Sequence, residues 1–561
     1  MHWFDWFVLF GTLVFITLYG IYKTRGAKNQ ETYLASDRST PWWAIGLSIM
    51  ATQASAITFL STPGLGYQKG LEFAQFYFGL PIAMIVIALA FVPLYHKLKV
   101  YTAYEFLESR FDLNTRLLTA FLFLVQRGLA AGITIYAPSI ILSQLLGLPL
   151  YVNILVIGTL VVLYTVSGGT RAVTQTHKQQ MAVIFLGLFI AFGYLLYYIN
   201  QDIGSEQMWT VADAGQRLTA IDWKFDIHKK YNIWSGLLAG TFLMLSYFGT
   251  DQSQVQRYIS GKSVKEIRTG LYFNAVLKIP MQFFILFLGI LVFVFYQLNA
   301  PPSHFDDLAV EHVMQSEYAG RYEAIAEQKQ ALFEEQRKLI TEDIETYKQG
   351  QEQAENERLR LDTELKKLIK ESGYQAQVEK ESDFVFITFV LDHLPIGLIG
   401  LLMAVIFSAA MSSTAAELNA LGTTTVVDFY ERLKPSAKIK KSVTASKFIT
   451  AIWGLFAIGF ALVAQFLDSL VEAVNILGSL FYGTVLGVFL VAFYAKRIKG
   501  RAVFYAAILS ELVVLLLYFF DDQIGKAIGY NISIGYLWYN ILGVILVFIL
   551  AHILQRSIRT A

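Results

Sequence analysis

The feature that most constrains this chain is its succession of apolar runs, each about as long as a bilayer crossing. A spanning α-helix needs roughly 20 consecutive apolar residues. About thirteen candidate runs occur, near 3–22, 41–62, 74–98, 115–145, 150–167, 178–200, 232–256, 268–298, 384–411 (continuing to about 428), 443–467, 470–496, 502–520 and 533–555. Lipid offers no partner to a backbone N–H or C=O, so such a chain must satisfy its backbone within helices. Composition agrees: 55% of the 561 residues are hydrophobic, 16% are charged and mean hydropathy is +0.48, against roughly 25% charged residues in soluble proteins. The expected fold class is an all-α polytopic membrane protein in contact with the lipid bilayer. The first run, Trp6 to Tyr22, has an acidic start and no small-residue cleavage pattern, so it reads as a transmembrane helix and not a signal peptide. Zero cysteines exclude disulfides, iron–sulfur clusters and thiol chemistry.

The connections between runs alternate in charge. One set carries Lys23 and Arg25, His96 to Lys99, Arg171, Arg257 to Arg268, Arg432 to Lys447, Lys496 to Arg501, and Arg556 and Arg559. The other is short or acidic: Asp5, Gly147 to Pro149, Asp202 to Glu206, and Asp521-Asp522. By the positive-inside rule the basic set is cytoplasmic. This places the N-terminus outside and the C-terminus inside a cell membrane, and it suits a bacterial inner membrane.

The stretch from Pro301 to Ser382 differs in kind. It is dense in Glu, Gln and Lys, with apolar residues at heptad spacing (Tyr318, Ile325, Leu332, Leu339, then Ala354, Leu361, Leu368) and Gly350 dividing it. This predicts two antiparallel helices forming an extracytoplasmic coiled-coil hairpin, either a solvated spacer or lid or a docking surface for a protein partner. The chain then divides into a membrane region over 1–300, the insertion over 301–382, and a second membrane region over 383–561.

Functional chemistry concentrates in three places. Ser408 to Tyr430 reads SAAMSSTAAELNALGTTTVVDFY, a span crowded with hydroxyls and carrying Glu417. Bare oxygens inside a bilayer are costly unless something occupies them, and a dehydrated Na+ prefers oxygen ligands. Two further spans are interrupted by polar residues, Ala51 to Thr58 (followed by Pro63-Gly64) and Ser246 to Gln252. If the initial helix is an extra, these are the first and sixth of the remaining series, the pattern of an inverted-repeat transporter. No enzyme signature is visible: there is no Walker-type glycine loop, no metal-ligand clustering, and nothing that points to nucleic acid. Ser167 to Thr170 reads as a loop between membrane helices.

Five stretches together carry a resemblance: ATQASAITFLSTPGLGYQKG (51–70), YTAYEFLESRF (101–111), VLYTVSGGTRAV (162–173), SYFGTDQSQVQRYISG (246–261) and SSTAAELNALGTTTVVDFY (412–430). The chain resembles the sodium:solute symporter family, its iodide, monocarboxylate and vitamin branch more than its glucose branch. The resemblance implies a LeuT-type fold of two inverted five-helix repeats with flanking helices, and inward solute transport coupled to Na+. It implies a sodium site at the backbone of Ala51 and Ala54 and at Ala409, Ser412 and Ser413. Solute positions fall on Thr58, Tyr77, Met244, Tyr247, Lys278 and Asn475.

Sugar-carrying members place a glutamate and an asparagine where this chain has Tyr77 and Met244, so a small carboxylate or other anion is the expected solute. The alternatives are a sugar or polyol, or a transporter-like sensor that uses the insertion as its partner surface. The family's Thr-Asp pair is here Thr176-His177. His177 either titrates and couples protons or lies near cytoplasmic headgroups beside a snorkelling Lys178. Glu417, one helical turn beyond Ser413, is positioned to supply the missing negative charge, paired with His177 or Lys178.

Overall fold

The computed structural model describes residues 1–24, 38–374, 381–433, 443–464, 470–530 and 532–560, and every regular element among them is a helix. The basic residue Arg25, the segment 434–442 and the end of the insertion at 375–380 lie outside the described residues. In chain order the helices that matter for function are α1 (Trp3–Thr24), α2 (Trp42–Gln53), α3 (Ala56–Lys69), α4 (Leu113–Leu146), α5 (Leu150–Asp202), α6 (Gly240–Gly249), α7 (Gln252–Tyr258), α8 (Val264–Leu298), α9 (Ala319–Glu342), α10 (Ile344–Glu371), α11 (Glu381–His393), α12 (Leu398–Thr424), α13 (Val443–Val463), α14 (Leu470–Tyr494), α15 (Gly500–Phe519) and α16 (Trp538–Thr560). Among the described residues nine helices are long and apolar enough to cross a membrane, or ten if the bent pair α2–α3 is one span. Shorter apolar helices at Trp3–Ile16, Leu150–Leu163 and Ser235–Gly249 lie on the remaining expected runs. The stretch 167–170, expected as a loop, is helical within α5. The two parts of that helix pack on different neighbours, Gly158 against Ile458 of α13 and Gly187 against Val405 of α12.

Two helix breaks organise the interior. Between α2 and α3 the axis turns by 66°. No proline or glycine stands there: Ala54 (φ −82°, ψ 77°) and Ser55 (φ −79°, ψ 172°) leave the helical region. The Ser55 amide turns back to the Gln53 carbonyl at 3.1 Å, so the Ala51 carbonyl loses its usual i+4 donor. Between α6 and α7 the break is set by sequence: Asp251 caps α7 by accepting from the Ser253 amide at 2.8 Å and its hydroxyl at 2.6 Å. Here the freed carbonyls of Gly249 and Thr250 accept from the Tyr95 and Tyr104 hydroxyls at 2.8 and 3.0 Å.

Close packing fixes α3 in place. A Cβ at Gly66 would strike the Leu286 carbonyl of α8, one at Gly289 the Pro63 carbonyl, and one at Gly64 the Ser382 carbonyl of α11. Small residues here let backbones touch, as membrane helix interfaces require. Asp5, counted with the acidic connections, is buried. Its carboxylate accepts from the Gly397 and Gly400 amides at 2.6 and 3.1 Å, a negative charge placed at the N-terminus of α12.

The insertion is a helical hairpin, with α9 and α10 packed through Tyr322, Ile325, Leu361, Leu365 and Leu368. Its turn falls at Asp343 (φ −147°, ψ 76°), not Gly350, which lies inside α10. Asp343 accepts from the Thr346 amide at 3.2 Å and its hydroxyl at 2.6 Å. That N-cap decides the helix start, whereas one solvated glycine costs a helix only about 1 kcal/mol. The tip residues Ile340 and Tyr347 are fully buried in the main core cluster, so the hairpin lies against the membrane-spanning helices. Arg217 ties the two together. Its Nη2 meets Glu355 at 2.9 Å and its Nε donates to the Tyr67 carbonyl at the end of α3 at 2.8 Å.

Burial opposes ionisation of Glu355, but Arg358 and Arg217 outweigh it and hold the carboxyl at about 2, below its ordinary 4.5. A depressed carboxylate contributes stability that is full above the unfolded value and lost as pH falls through the folded one. The hairpin contact therefore weakens from about pH 4.5 down to about pH 2. Glu355→Gln is expected to cost about 1.5–3 kcal/mol at neutral pH and to flatten that part of the pH profile, both read by differential scanning calorimetry.

Candidate ion and solute site

The Ala51 carbonyl released at the α2–α3 break accepts from the Ser412 hydroxyl of α12 at 3.1 Å. The same hydroxyl lies 2.8 Å from the Ala409 carbonyl, and the Ser413 hydroxyl lies 3.0 Å from it. Ala51, Ala409, Ser412 and Ser413 thus form one buried oxygen cluster bridging the two helices, and Ala54 sits at the bend beside it, fully buried.

His177 is fully buried within the protein. Its Nδ1 lies 2.9 Å from the Ser48 hydroxyl of α2 and its Nε2 3.3 Å from the Ser412 carbonyl. A ring protonated at Nε2 alone accepts from Ser48 and donates to Ser412, so His177 knits α2, α5 and α12 together behind the cluster. Lys178 goes elsewhere: its Nζ donates to the Gln175 side chain at 3.1 Å and stands 4.6 Å from the centre of the Trp43 ring.

The same break borders a cavity of about 100 Å³, lined by Thr52 and Gln53 before it and Ser55 and Thr58 after it. Thr58, Tyr77, Met244, Tyr247 and Asn475 all line it, from α3, the segment 72–98, α6 and α14. Lys278 does not. It is fully buried in α8, its Nζ 5.7 Å from the Tyr77 ring centre and without a hydrogen-bond partner among the described residues.

Glu417 does face the cavity, but neither His177 nor Lys178 is its partner. Its Oε1 takes the Arg127 Nη1 of α4 at 3.0 Å and its Oε2 the Thr134 hydroxyl at 2.9 Å. The guanidinium of Arg127 also contacts the Asp251 carboxylate and the Tyr482 hydroxyl, and Tyr482 donates to Asp251 at 2.8 Å. One cation thus faces two carboxylates in a wholly buried cluster that joins α4, the α6–α7 break, α12 and α14. Tyr247 closes it, with the Arg127 guanidinium 5.4 Å from its ring centre and its hydroxyl accepting from Gln254 at 2.6 Å.

Sequence reading passed over Arg127, Asp251, Thr134 and Tyr482 as site residues. The available signal was Arg127 itself, a charge in the middle of the apolar run 115–145, since intramembrane charges are paired and functional. Arg257, counted with the basic connections, is another such case. It is fully buried in α7, with Nη2 on its neighbour Gln256 at 2.9 Å. Among the described residues no group of three or more histidine, cysteine or carboxylate side chains comes together as a metal cluster.

Residues 33–319 and 370–510 match the profile of the sodium:solute symporter family. The chain belongs to this family. The gap between the two matched parts falls within the insertion. The chain couples Na+ to the movement of a solute across a membrane. It is 25% identical over 548 residues to a sodium/sialic acid symporter of Proteus mirabilis, covering 96% of this chain and 91% of that one. It is 25% identical over 491 residues to sodium-coupled monocarboxylate transporter 2 of Mus musculus, covering 86% of this chain and 67% of the relative. The sodium/iodide cotransporter of Homo sapiens is 31% identical over 271 residues, 48% of this chain and 42% of the relative. The fold matches the solved structure of a substrate-bound, outward-open Na+-coupled sialic acid symporter, with a TM-score of 0.74 and 23% identity over 99% of this chain and 98% of that chain.

Removing one partner from a buried ion pair strands a charge, at a cost of about 3–5 kcal/mol. Arg127→Gln leaves two carboxylates without their cation, so it should lower the thermal midpoint further than Glu417→Gln, which leaves Arg127 its bond to Asp251. Fluorescence-detected unfolding in detergent gives the order, and a reversed order means the cluster is not organised around Arg127.

Proposed function

We propose that this protein carries a small carboxylate or other small anion inward with Na+ by alternating access, on a LeuT-type scaffold of two inverted five-helix repeats and about thirteen spans. Its membrane regions at 1–300 and 383–561 flank the insertion at 301–382, and the termini lie outside (N) and in the cytoplasm (C) of a cell membrane, of the bacterial inner-membrane kind. The observation that carries this reading is that the oxygen cluster and the cavity share one helix break. Ala51 and Ala54 lie on one side of it and Thr58 on the other.

Na+ takes the Ala51, Ala54 and Ala409 carbonyls and the Ser412 and Ser413 hydroxyls. The Ser412 proton that now bridges two carbonyls turns away, and the ion replaces it. Carbonyl and hydroxyl ligands without a carboxylate give a cation site from which the ion is readily released. Ordering the break orders Thr58 and the cavity wall. Each ligand then raises the other's affinity by the same factor, and the membrane potential adds about 2.3 kcal/mol per charge per 100 mV.

Within the cavity Arg127 supplies the cation for the anionic end of the solute. Tyr77, Met244 and Tyr247 supply an apolar wall, and Thr58 and Asn475 hydrogen bonds. Lys278, behind Tyr77, adds positive field without direct contact. Glu417 acts as the counter-charge that holds Arg127 when solute is absent, and His177 as the brace of the ion site. A protein partner at 301–382 would have to dock on the hairpin's charged outer faces, because its apolar face is used within the chain.

Uptake into proteoliposomes under an inward Na+ gradient, with K+ replacing Na+ and with a proton gradient alone, tests this across labelled small carboxylates, halides, sugars and amino acids. A carboxylate or halide should accumulate with Na+ only. Ser412→Ala with Ser413→Ala should abolish the Na+ dependence. Equal accumulation with K+, or accumulation of a sugar alone, overturns the reading.

A further inference from the structure

The hairpin also encloses a second cavity of about 230 Å³ against the membrane-spanning helices. Its wall includes Tyr67 at the end of α3, Tyr296 at the end of α8, Pro301 and Pro302, and Gln336 and Gln351 of the hairpin, and it shares no lining residue with the cavity at Thr58. Three oxygens on this wall have no hydrogen-bond partner among the described residues: Tyr296 Oη, Gln336 Oε1 and Gln351 Oε1. Tyr296 is 1% exposed and Gln351 5%. Buried polar atoms are nearly always satisfied, so three such atoms around one space point to an occupant.

The charges say what kind. Glu355 already meets Arg217 at 2.9 Å and Arg358 at 2.9 Å. Arg358 also meets Asp362 at 2.8 Å, and Lys329 meets Asp362 at 2.6 Å and the Ser303 carbonyl at 2.6 Å. Each charged group has its counter-charge, so the unmet capacity is neutral: one phenol and two amide oxygens. Beside them the rings of Tyr67, Tyr296 and Phe333 and the two prolines offer flat apolar faces. Hydroxyl-seeking oxygens next to aromatic faces suit a molecule with hydroxyls at its edge and C–H groups on its faces.

We propose that this cavity binds a small neutral polyhydroxy compound, a monosaccharide or polyol, and that the bound compound fastens the hairpin to α3. The Tyr67 carbonyl is already held by Arg217, which holds Glu355. An occupant touching Tyr67, Tyr296 and Gln351 completes the clasp and slows the movement of α3 during transport. The site is independent of which solute the protein carries.

The test is equilibrium binding of glucose, mannitol and myo-inositol to the purified full chain in lipid nanodiscs, with acetate and lactate as charged controls. At least one neutral probe should bind saturably and slow Na+-driven uptake when added on the hairpin side. Tyr296→Phe with Gln351→Leu should weaken binding by about tenfold or more, the scale of one or two lost hydrogen bonds. Asn475→Leu, in the transport cavity, should leave binding unchanged. Because the removed atoms have no partner, the double variant should melt no lower than the parent, and the less buried Gln336→Leu replaces it if it does not fold. No binding by any neutral probe (water alone fills the space), binding by the carboxylates only, binding unaltered in both hairpin variants, or binding lost in Asn475→Leu each overturns the proposal.

Discussion

A helix broken in the middle of a bilayer exists only where something else accepts its freed carbonyls, and this protein meets that demand in two ways. At Gly249 and Thr250 two tyrosine hydroxyls do so permanently. At Ala51 the donor is a single serine hydroxyl from a helix 361 residues away in sequence. The serine stands beside the Ala409 carbonyl and the Ser413 hydroxyl, so the first break gathers several oxygens at one point, whereas each tyrosine at the second serves a single carbonyl. That asymmetry assigns the two breaks different duties. One borders the oxygen cluster at Ala51 and Ser412, and the other anchors a buried charge cluster through Asp251.

The Arg127 cluster depends on the second break as the oxygen cluster depends on the first. Asp251 caps α7 with one oxygen and meets Arg127 with the other. Helix geometry and charge pairing at this point are therefore one constraint. Glu417 and Ser413 stand one turn apart on α12, so the helix that contributes hydroxyls to the oxygen cluster also contributes a carboxylate to the charge cluster. Movement of α12 relative to α2 changes the first and relative to α4 the second, so a shift of α12 against both changes both at once.

Much of this was legible in the residues. The apolar runs located the helices because lipid enforces them, nine or ten of them long enough to cross among the described residues, and the hydroxyl-rich stretch after Phe407 and the polar interruption at Ala51 pointed to the oxygen cluster that the structure brings together. What was not legible depended on distance along the chain or on local competition. Arg127, Asp251 and Glu417 meet across separations of 124 and 290 residues, and no spacing rule links them; the pairing of Glu417 with His177 or Lys178 followed from the carboxylate that the Thr176-His177 pair lacks. Gly350 looked like a breaker, but the Asp343 cap outweighs a solvated glycine. The α2–α3 break carries no breaker residue at all. It was recognised by its polarity, because Ala54 has no intrinsic tendency to leave a helix.

The glycine contacts along α3 have a mechanical consequence. Gly66 and Gly289 bring the backbones of α3 and α8 into contact, and next to them the Tyr67 ring of α3 packs on Phe293 and Tyr296 of α8. The pair therefore behaves as a single lever. The chain leaves α8 through Pro301 and Pro302, two residues with restricted backbones, and forms a short helix at Asp307–Met314 before the hairpin begins. Whatever moves α8 therefore bears directly on α3, the helix whose Thr58 lines the cavity.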